Sequence, residues 1–345
     1  MKFGKFGNTV GRGALFVGAF FLCFGEMTAC STRKEGAQTV AVAAAQVVVP
    51  AQTDAVTSGL PKVYMTADIS PAGLAEVYAA LGRKVSGNVA VKISTGEPGG
   101  HHFLSPSLIK DLVQSMDGTI VESNTAYSGR RLNTALHKQV AIDHGFAAIA
   151  PVDILDEEGS ISLPFAQGKN ITEDLVGSHF TNYDSYLILS HFKGHTMGGF
   201  GGAIKNMSIG IASSRGKSWI HSGGTSRTGI RGDQTAFLES MAEAAGAVMG
   251  YLGENIMYIS VMNNLSIDCD CSSNPAPPEL DDIGILGSLD PVALDRACVD
   301  QVYASDTQRS ASLRQRIETR DGTHTLDHAE ALGLGSQSYE LVMLN

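Results

Sequence analysis

Residues 185–222, SYLILSHFKGHTMGGFGGAIKNMSIGIASSRGKSWIHS, decide how this chain is read. The first six, Ser185 to Ser190, are an apolar run of strand length. They run straight into a segment with seven glycines between Ser190 and His221. Glycine at that density weakens helix and strand alike. It suits places where the backbone must come close to a ligand, a cofactor or another strand. His191, Lys193, His195, Lys205, Lys217 and His221 stand among those glycines. A strand that ends in such a loop predicts an α/β sheet with its site beyond the strand's carboxyl end.

The flanking sequence fits that reading. Ser70-Pro71 opens a helix through Leu81, and Ser105-Pro106 opens a second from Ser107 to Met116. Each has a serine cap and a proline whose missing N–H costs nothing in the first turn. Strands are expected at Asn88 to Ile93 and Gly118 to Glu122, and a helix at Asn133 to His144. Downstream come a helix at Gln234 to Tyr251, strands at Ile256 to Val261 and Asp282 to Leu286, and a helix from Asp290-Pro291 to Tyr303. The alternation predicts an α/β fold of mostly parallel sheets flanked by helices. Two subdomains are expected, residues 62–184 and 185–345, with a cleft between them.

Composition excludes some classes of function. The chain has 345 residues, is 43% hydrophobic and carries a formal charge of −10. No basic excess exists to displace counterions from phosphate, so nucleic acid is not an expected partner. Residues 1–30 read as a lipoprotein-type signal peptide: Lys2, Lys5 and Arg12 precede the apolar Ala14 to Phe24, and Met27-Thr28-Ala29-Cys30 resembles a lipobox. A lipidated Cys30 would anchor the chain to a membrane, exported and outside the cytoplasm on a bacterial cell envelope. Residues 31–61, small and alanine-rich, read as a flexible tether. Cys269, Cys271 and Cys298 are then the remaining cysteines, too few for a disulfide framework.

Four loops follow predicted strands and hold most of the reactive side chains: 94–102, 123–131, 190–221 and 267–278. In the first, Thr95 and the glycines of TGEPGGHH could cradle an anion through backbone N–H groups, or form a plain turn. In the second, Asn124 and the pair Arg130 and Arg131 suit binding of a carboxylate or phosphate; Arg130 is the expected clamp, with Arg131 as readily a surface charge. In the third, Lys205 lies in the apolar stretch AIKNMSIGIA. A lysine there is paired, lowered in pKa or attached to another group. The glycines around His191 and His195 argue against a helical His-x-x-x-His zinc site. In the fourth, Asp268-Cys269-Asp270-Cys271 places two thiols on one side of an extended segment, a half-site for a soft transition metal that a histidine would complete. The same thiols could be inert, pair with Cys298, or bond to each other as a redox-active ring.

The motifs HFKGHTMGGFGGAIKN, IDCDC with NPAPPELDDIGILGSLDPVALDRACVD, and VAVKISTGEPGG resemble domain-of-unknown-function family 362, over roughly Lys62 to Tyr303. Many relatives carry an iron–sulfur insert just after the segment matching His221. This chain has no cysteine between Cys30 and Cys269, so an iron–sulfur cluster is not expected. The order His195, Lys205, His221 is also similar to that in nickel-pincer lactate racemases. That resemblance implies an acid/base role for His195, cofactor attachment at Lys205 and metal ligation by His221. The racemase pattern has a second acid/base histidine, and the 124–131 loop offers none.

The reading is therefore a metal- or cofactor-dependent enzyme on a small anionic ligand. His195 and Lys205 would do the chemistry. Thr95, Asn124 and Arg130 would bind the anion. Cys269, Cys271, His221 and Asp268 would hold the metal. A non-catalytic binding lipoprotein and a thiol redox protein are the alternatives.

Overall fold

A computed structural model describes residues 59–345. The signal peptide with Cys30 and nearly all of the tether lie outside the described residues. In chain order the strands and helices are β1 (Lys62–Thr66), α1 (Pro71–Ala80), β2 (Val89–Lys92), α2 (Pro106–Ser115), β3 (Thr119–Glu122), α3 (Thr134–Asp143), β4 (Val152–Ile154), β5 (Ser160–Pro164), β6 (Glu173–Gly177) and β7 (Ser185–His191). The glycine-rich segment follows as β8 (Lys193–His195), β9 (Gly199–Gly201), α4 (Ala203–Met207) and α5 (Ser214–His221). The chain continues with α6 (Gln234–Leu252), β10 (Ile256–Met262), β11 (Gly284–Ser288), α7 (Pro291–Ala304), α8 (Ala311–Thr319), α9 (His324–Ala331) and β12 (Glu340–Met343).

Local capping chemistry explains the helix starts. Ser70 accepts the N–H of Gly73, Asn133 that of Leu136 and Asp233 that of Ala236. Asp290 accepts from both Val292 and Ala293 ahead of α7. Ser105 precedes α2 without a capping hydrogen bond, its hydroxyl lying instead 2.7 Å from that of Ser107.

One sheet of eight strands, in the order β12-β1-β11-β10-β7-β2-β3-β4, forms the centre. It is mostly parallel. Only β11 runs against its neighbours β1 and β10. The expected boundary at residue 184 falls just before β7, and β7 pairs with β2 through Val89↔Ser185 to Lys92↔Ile188. The segments 62–184 and 185–345 therefore share one sheet.

Strand periodicity accounts for how the sheet is covered. In β7, Tyr186 and Ile188 pack into the cluster containing Ala242, Ala245 and Val292, while Leu187 and Leu189 pack into the one containing Leu74, Ile109 and Val113. The apolar run reads as continuous because both faces are buried, as parallel strands between helices require. No helix among the described residues is long and apolar enough to cross a membrane.

Candidate functional site

The carboxyl ends of β2, β3 and β7 open into a cavity of about 130 Å³. All four expected loops reach it: Ser94, then Thr125 to Tyr127 with Arg131, then a run of residues from Ser190 to His221, then Cys269 to Cys271.

The glycine-rich segment is not the irregular loop that its composition led us to expect. It folds as a two-stranded ribbon and two short helices, and long-range contacts make this possible. Asp295 of α7 accepts the N–H groups of Ala203 (2.7 Å) and Ile204 (3.0 Å), so it caps α4 from another element. A Cβ at Gly202 would fall 2.2 Å from the Asp295 carboxylate. One at Gly194 would fall 2.4 Å from the carbonyl of Ile267, where the cysteine-bearing loop crosses β8. The object these glycines approach is the rest of the protein. The result is that α4 presents Lys205 to the cavity and α5 presents Lys217 and His221.

The wall is cationic. Lys92, Arg131, Lys193, Lys205 and Lys217 face two carboxylates, Glu122 and Asp270. Two of the cations are held in close ion pairs, Lys92 with Glu122 at 3.1 Å and Lys193 with Asp270 at 2.9 Å, and a third, Arg131, in looser ones. Asp270 also accepts from Nδ1 of His191 at 2.9 Å. Burial works against both carboxylates, yet Lys92 and Arg131 hold Glu122, and His191 and Lys193 hold Asp270, below the usual carboxylate range.

Three of the cations are less well served. Arg131 is 5% exposed, and its Nε and Nη1 have no hydrogen-bond partner among the described residues. Its carboxylate neighbours, Glu97 and Glu122, lie 3.6 Å away. Lys217 gives its ammonium to the carbonyl of Ala212, and burial pushes its pKa down to about 7 against the pull of Asp156. Lys205 makes no side-chain hydrogen bond among the described residues; burial, then Lys92 and Arg131, push it down to about 8.

Two of the three cavity histidines, His195 and His221, hold opposite tautomers. Nδ1 of His195 accepts the N–H of Gly198 at 2.8 Å, so the proton of the neutral ring sits on Nε2. Nδ1 of His221 donates to the carbonyl of Lys217 at 2.6 Å, which leaves Nε2 with a free lone pair. Burial first, then Lys205, keeps His195 neutral well below its ordinary range. Burial pushes His221 down to about 4. His195 is thus a donor, and His221 is the imidazole suited to a metal.

Cys269 and Cys271 are bonded to each other in the cavity wall. Cys298 does not pair with either; it is free and buried in α7. The sulfurs of Cys269 and Cys271 and a ring nitrogen of His195 lie within 4.8 Å of one another. The donor set of His195, Cys269 and Cys271 suits a soft metal only in part as it stands, because the sulfurs fit once reduced to thiols; His221 lines the same cavity with a free lone pair.

Several expected residues are elsewhere. Arg130 points outward and pairs with Asp143 at 3.1 Å, while Arg131 of the same 3-10 turn points in. Thr95 gives its N–H (2.8 Å) and hydroxyl (3.1 Å) to Glu122, so the anion in its cradle is the protein's own. Asn124 binds Thr134 at 2.8 Å. Asp268 caps the loop by accepting the N–H of Ala276 at 3.1 Å, and Arg316 lies 3.6 Å from it.

Lys92, Glu122 and Asn206 were not foreseen as site residues. A lysine and a glutamate inside apolar strand runs were the available signal. His137 was also missed. It is fully buried behind Glu122, 3.9 Å from its carboxylate, and its Nε2 has no hydrogen-bond partner.

The family model of the domain of unknown function DUF362 matches residues 89–300, and the chain belongs to that family. No curated protein matches the sequence. Similar solved structures include the following two. One is the lactate racemase apoprotein of Thermoanaerobacterium thermosaccharolyticum, at 14% identity and TM-score 0.42, covering 71% of this chain and 57% of that one. The other is a Thermotoga maritima protein, at 13% identity and TM-score 0.39, covering 68% of this chain and 58% of that one. The chain thus spans less than two thirds of either.

Proposed function

We propose that this DUF362-family chain is a metal- or cofactor-dependent enzyme acting on a small anionic substrate in the cavity at the strand ends. The observation that carries the reading is Lys205, an amine on the cavity wall with no hydrogen-bond partner among the described residues. It shares that wall with Arg131, whose Nε and Nη1 make no hydrogen bond among the described residues although Glu97 and Glu122 lie 3.6 Å from the guanidinium. Cations left short of partners at a buried site cost free energy, and a bound anion removes that cost.

The roles follow from the geometry. Arg131, not Arg130, clamps the anion. Lys205, part-neutral near pH 8, is the nucleophile or the point of cofactor attachment. His195 holds a proton on Nε2 and can donate it in a hydrogen bond to an oxygen that gains charge. His221 offers its Nε2 lone pair to a metal, joined by Cys269 and Cys271 when they are reduced. A metal held there would polarise a substrate oxygen. On its first thirty residues, we place the enzyme on the outer face of a bacterial membrane, anchored through Cys30.

Elemental analysis and intact mass of the mature chain, purified from its native host without chelators, test this reading. About one metal per chain, or added mass mapping to Lys205, is the expected result. A metal-free, unmodified chain would count against it. His195→Ala separates enzyme from binding protein: turnover should vanish while ligand affinity stays within a few-fold. A variant that simply fails to bind would favour the binding protein.

A further inference from the structure

We infer that Cys269 and Cys271 form a redox gate that decides whether the cavity can take a soft metal. The inference rests on the reading that this cavity holds a metal, and adds what controls its loading. As a disulfide the two sulfurs have no thiolate to offer. Reduced, they place two ligand atoms within 4.8 Å of a ring nitrogen of His195, in a cavity that His221 also lines.

The loop is built to keep the sulfurs in place in either state. Asp268 and Asp270 flank Cys269, and each is tied down independently of the S–S bond. Asp268 accepts from Ala276 at 3.1 Å, and Asp270 accepts from His191 and Lys193, both at 2.9 Å. The carbonyl of Asp270 also accepts the N–H of Glu97 at 2.9 Å. Breaking the bond therefore frees two thiols without releasing the loop. Both cysteines are partly exposed. Cys298, free and fully buried in α7, is not placed to resolve a mixed disulfide. The exchange partner must come from outside.

The chemistry balances with an external thiol as reductant. Its thiolate attacks one sulfur, the Cys269–Cys271 bond breaks, and a mixed disulfide forms. A second external thiol displaces the first as a disulfide. The two electrons and two protons end on Cys269 and Cys271. A divalent soft metal then binds the two thiolates and releases both protons. An external disulfide reverses the sequence once the metal has left.

Zn²⁺ is the probe, because it has no redox chemistry of its own. The mature chain is prepared reduced and desalted without oxygen, and separately oxidised with glutathione disulfide. Thiols are counted by alkylation and intact mass, and Zn²⁺ is titrated into each preparation. The reduced chain should show two more reactive thiols and take up about one Zn²⁺, at least ~100-fold tighter than the oxidised chain. The Cys269→Ser, Cys271→Ser double variant should match the oxidised chain in either buffer. Equal Zn²⁺ binding by both preparations would overturn the gate and leave the metal reading standing. No Zn²⁺ in either would sink the metal reading and the gate with it. An unchanged thiol count would exclude the switch, whatever the metal does.

Discussion

Glu243 on α6 and the cations around the cavity are charges treated in opposite ways. Glu243 is fully buried, and both its oxygens are in use. It accepts the backbone N–H groups of Lys169, Asn170 and Ile171 and the Nε2–H of His328, at 2.8 to 3.2 Å. One helical turn earlier, Glu239 binds Lys169 at 2.9 Å and Asn170 at 2.8 Å. These carboxylates fasten the 169–171 loop and α9 to α6, and nothing is left over for a ligand. Around the cavity, among the described residues, Lys205 has no hydrogen-bond partner and Arg131 has only carboxylates beyond hydrogen-bond distance. The closed cluster belongs to the fold, whereas the open one is set for a ligand.

The comparison breaks most easily at Glu243. Replacement by Ala strands three backbone donors and should cost about 3–5 kcal/mol, read from urea unfolding. A loss below about 1 kcal/mol would mean that the cluster is ornamental.

His137 tests the buried ring behind the cavity. Burial, then Arg131, pushes its pKa from 6.5 down to about 3. A depressed value means that its contribution to stability is complete above pH 6.5 and lost as pH falls toward 3. The His137→Gln variant should therefore have a shallower acid limb, by on the order of 3 kcal/mol. Parallel acid limbs for the two proteins would show that the ring does not remain neutral.

Asp295 links the two clusters in kind: it is a satisfied carboxylate that aims an unsatisfied amine. Asp295→Ala should cost about 1–2 kcal/mol through the lost cap. It should also weaken anion binding, since Lys205 sits on the helix it holds. Unfolding midpoint and calorimetry on one variant read both effects; intact binding would break the link. The smallest effect belongs to Arg130. Arg130→Ala should change stability by less than about 0.5 kcal/mol and leave anion affinity alone. A large loss of affinity would return the clamp to Arg130.

The difference between the clusters also marks how far sequence could be read. Ser70, Asn133 and Asp290 cap their helices locally, so those elements were legible from a few adjacent residues. The four-loop convergence followed from strand ends alone. The start of α4 did not, because its cap comes from Asp295, some ninety residues away in the chain. The inward turn of Arg131 was equally invisible, since a 3-10 turn sends neighbouring side chains opposite ways and only tertiary packing says which is inside. Thr95 was read as an anion cradle with sound chemistry, but its anion proved to be Glu122 from β3. Sequence gives the chemical disposition of a residue, while the partner depends on which strands become neighbours.

The most direct test of the open cluster is calorimetric titration of small carboxylates, hydroxy acids and inorganic phosphate into the wild-type chain and Lys205→Met, at pH 7 and pH 9. Lys205 and Lys217, lowered to about 8 and about 7, lose charge as pH rises. The account predicts binding at pH 7 with proton uptake, weakening toward pH 9. Lys205→Met should bind at least ~10-fold more weakly, with its unfolding free energy within about 1 kcal/mol of wild type. No anion binding at millimolar concentration, or equal binding by wild type and Lys205→Met at both pH values, would contradict it.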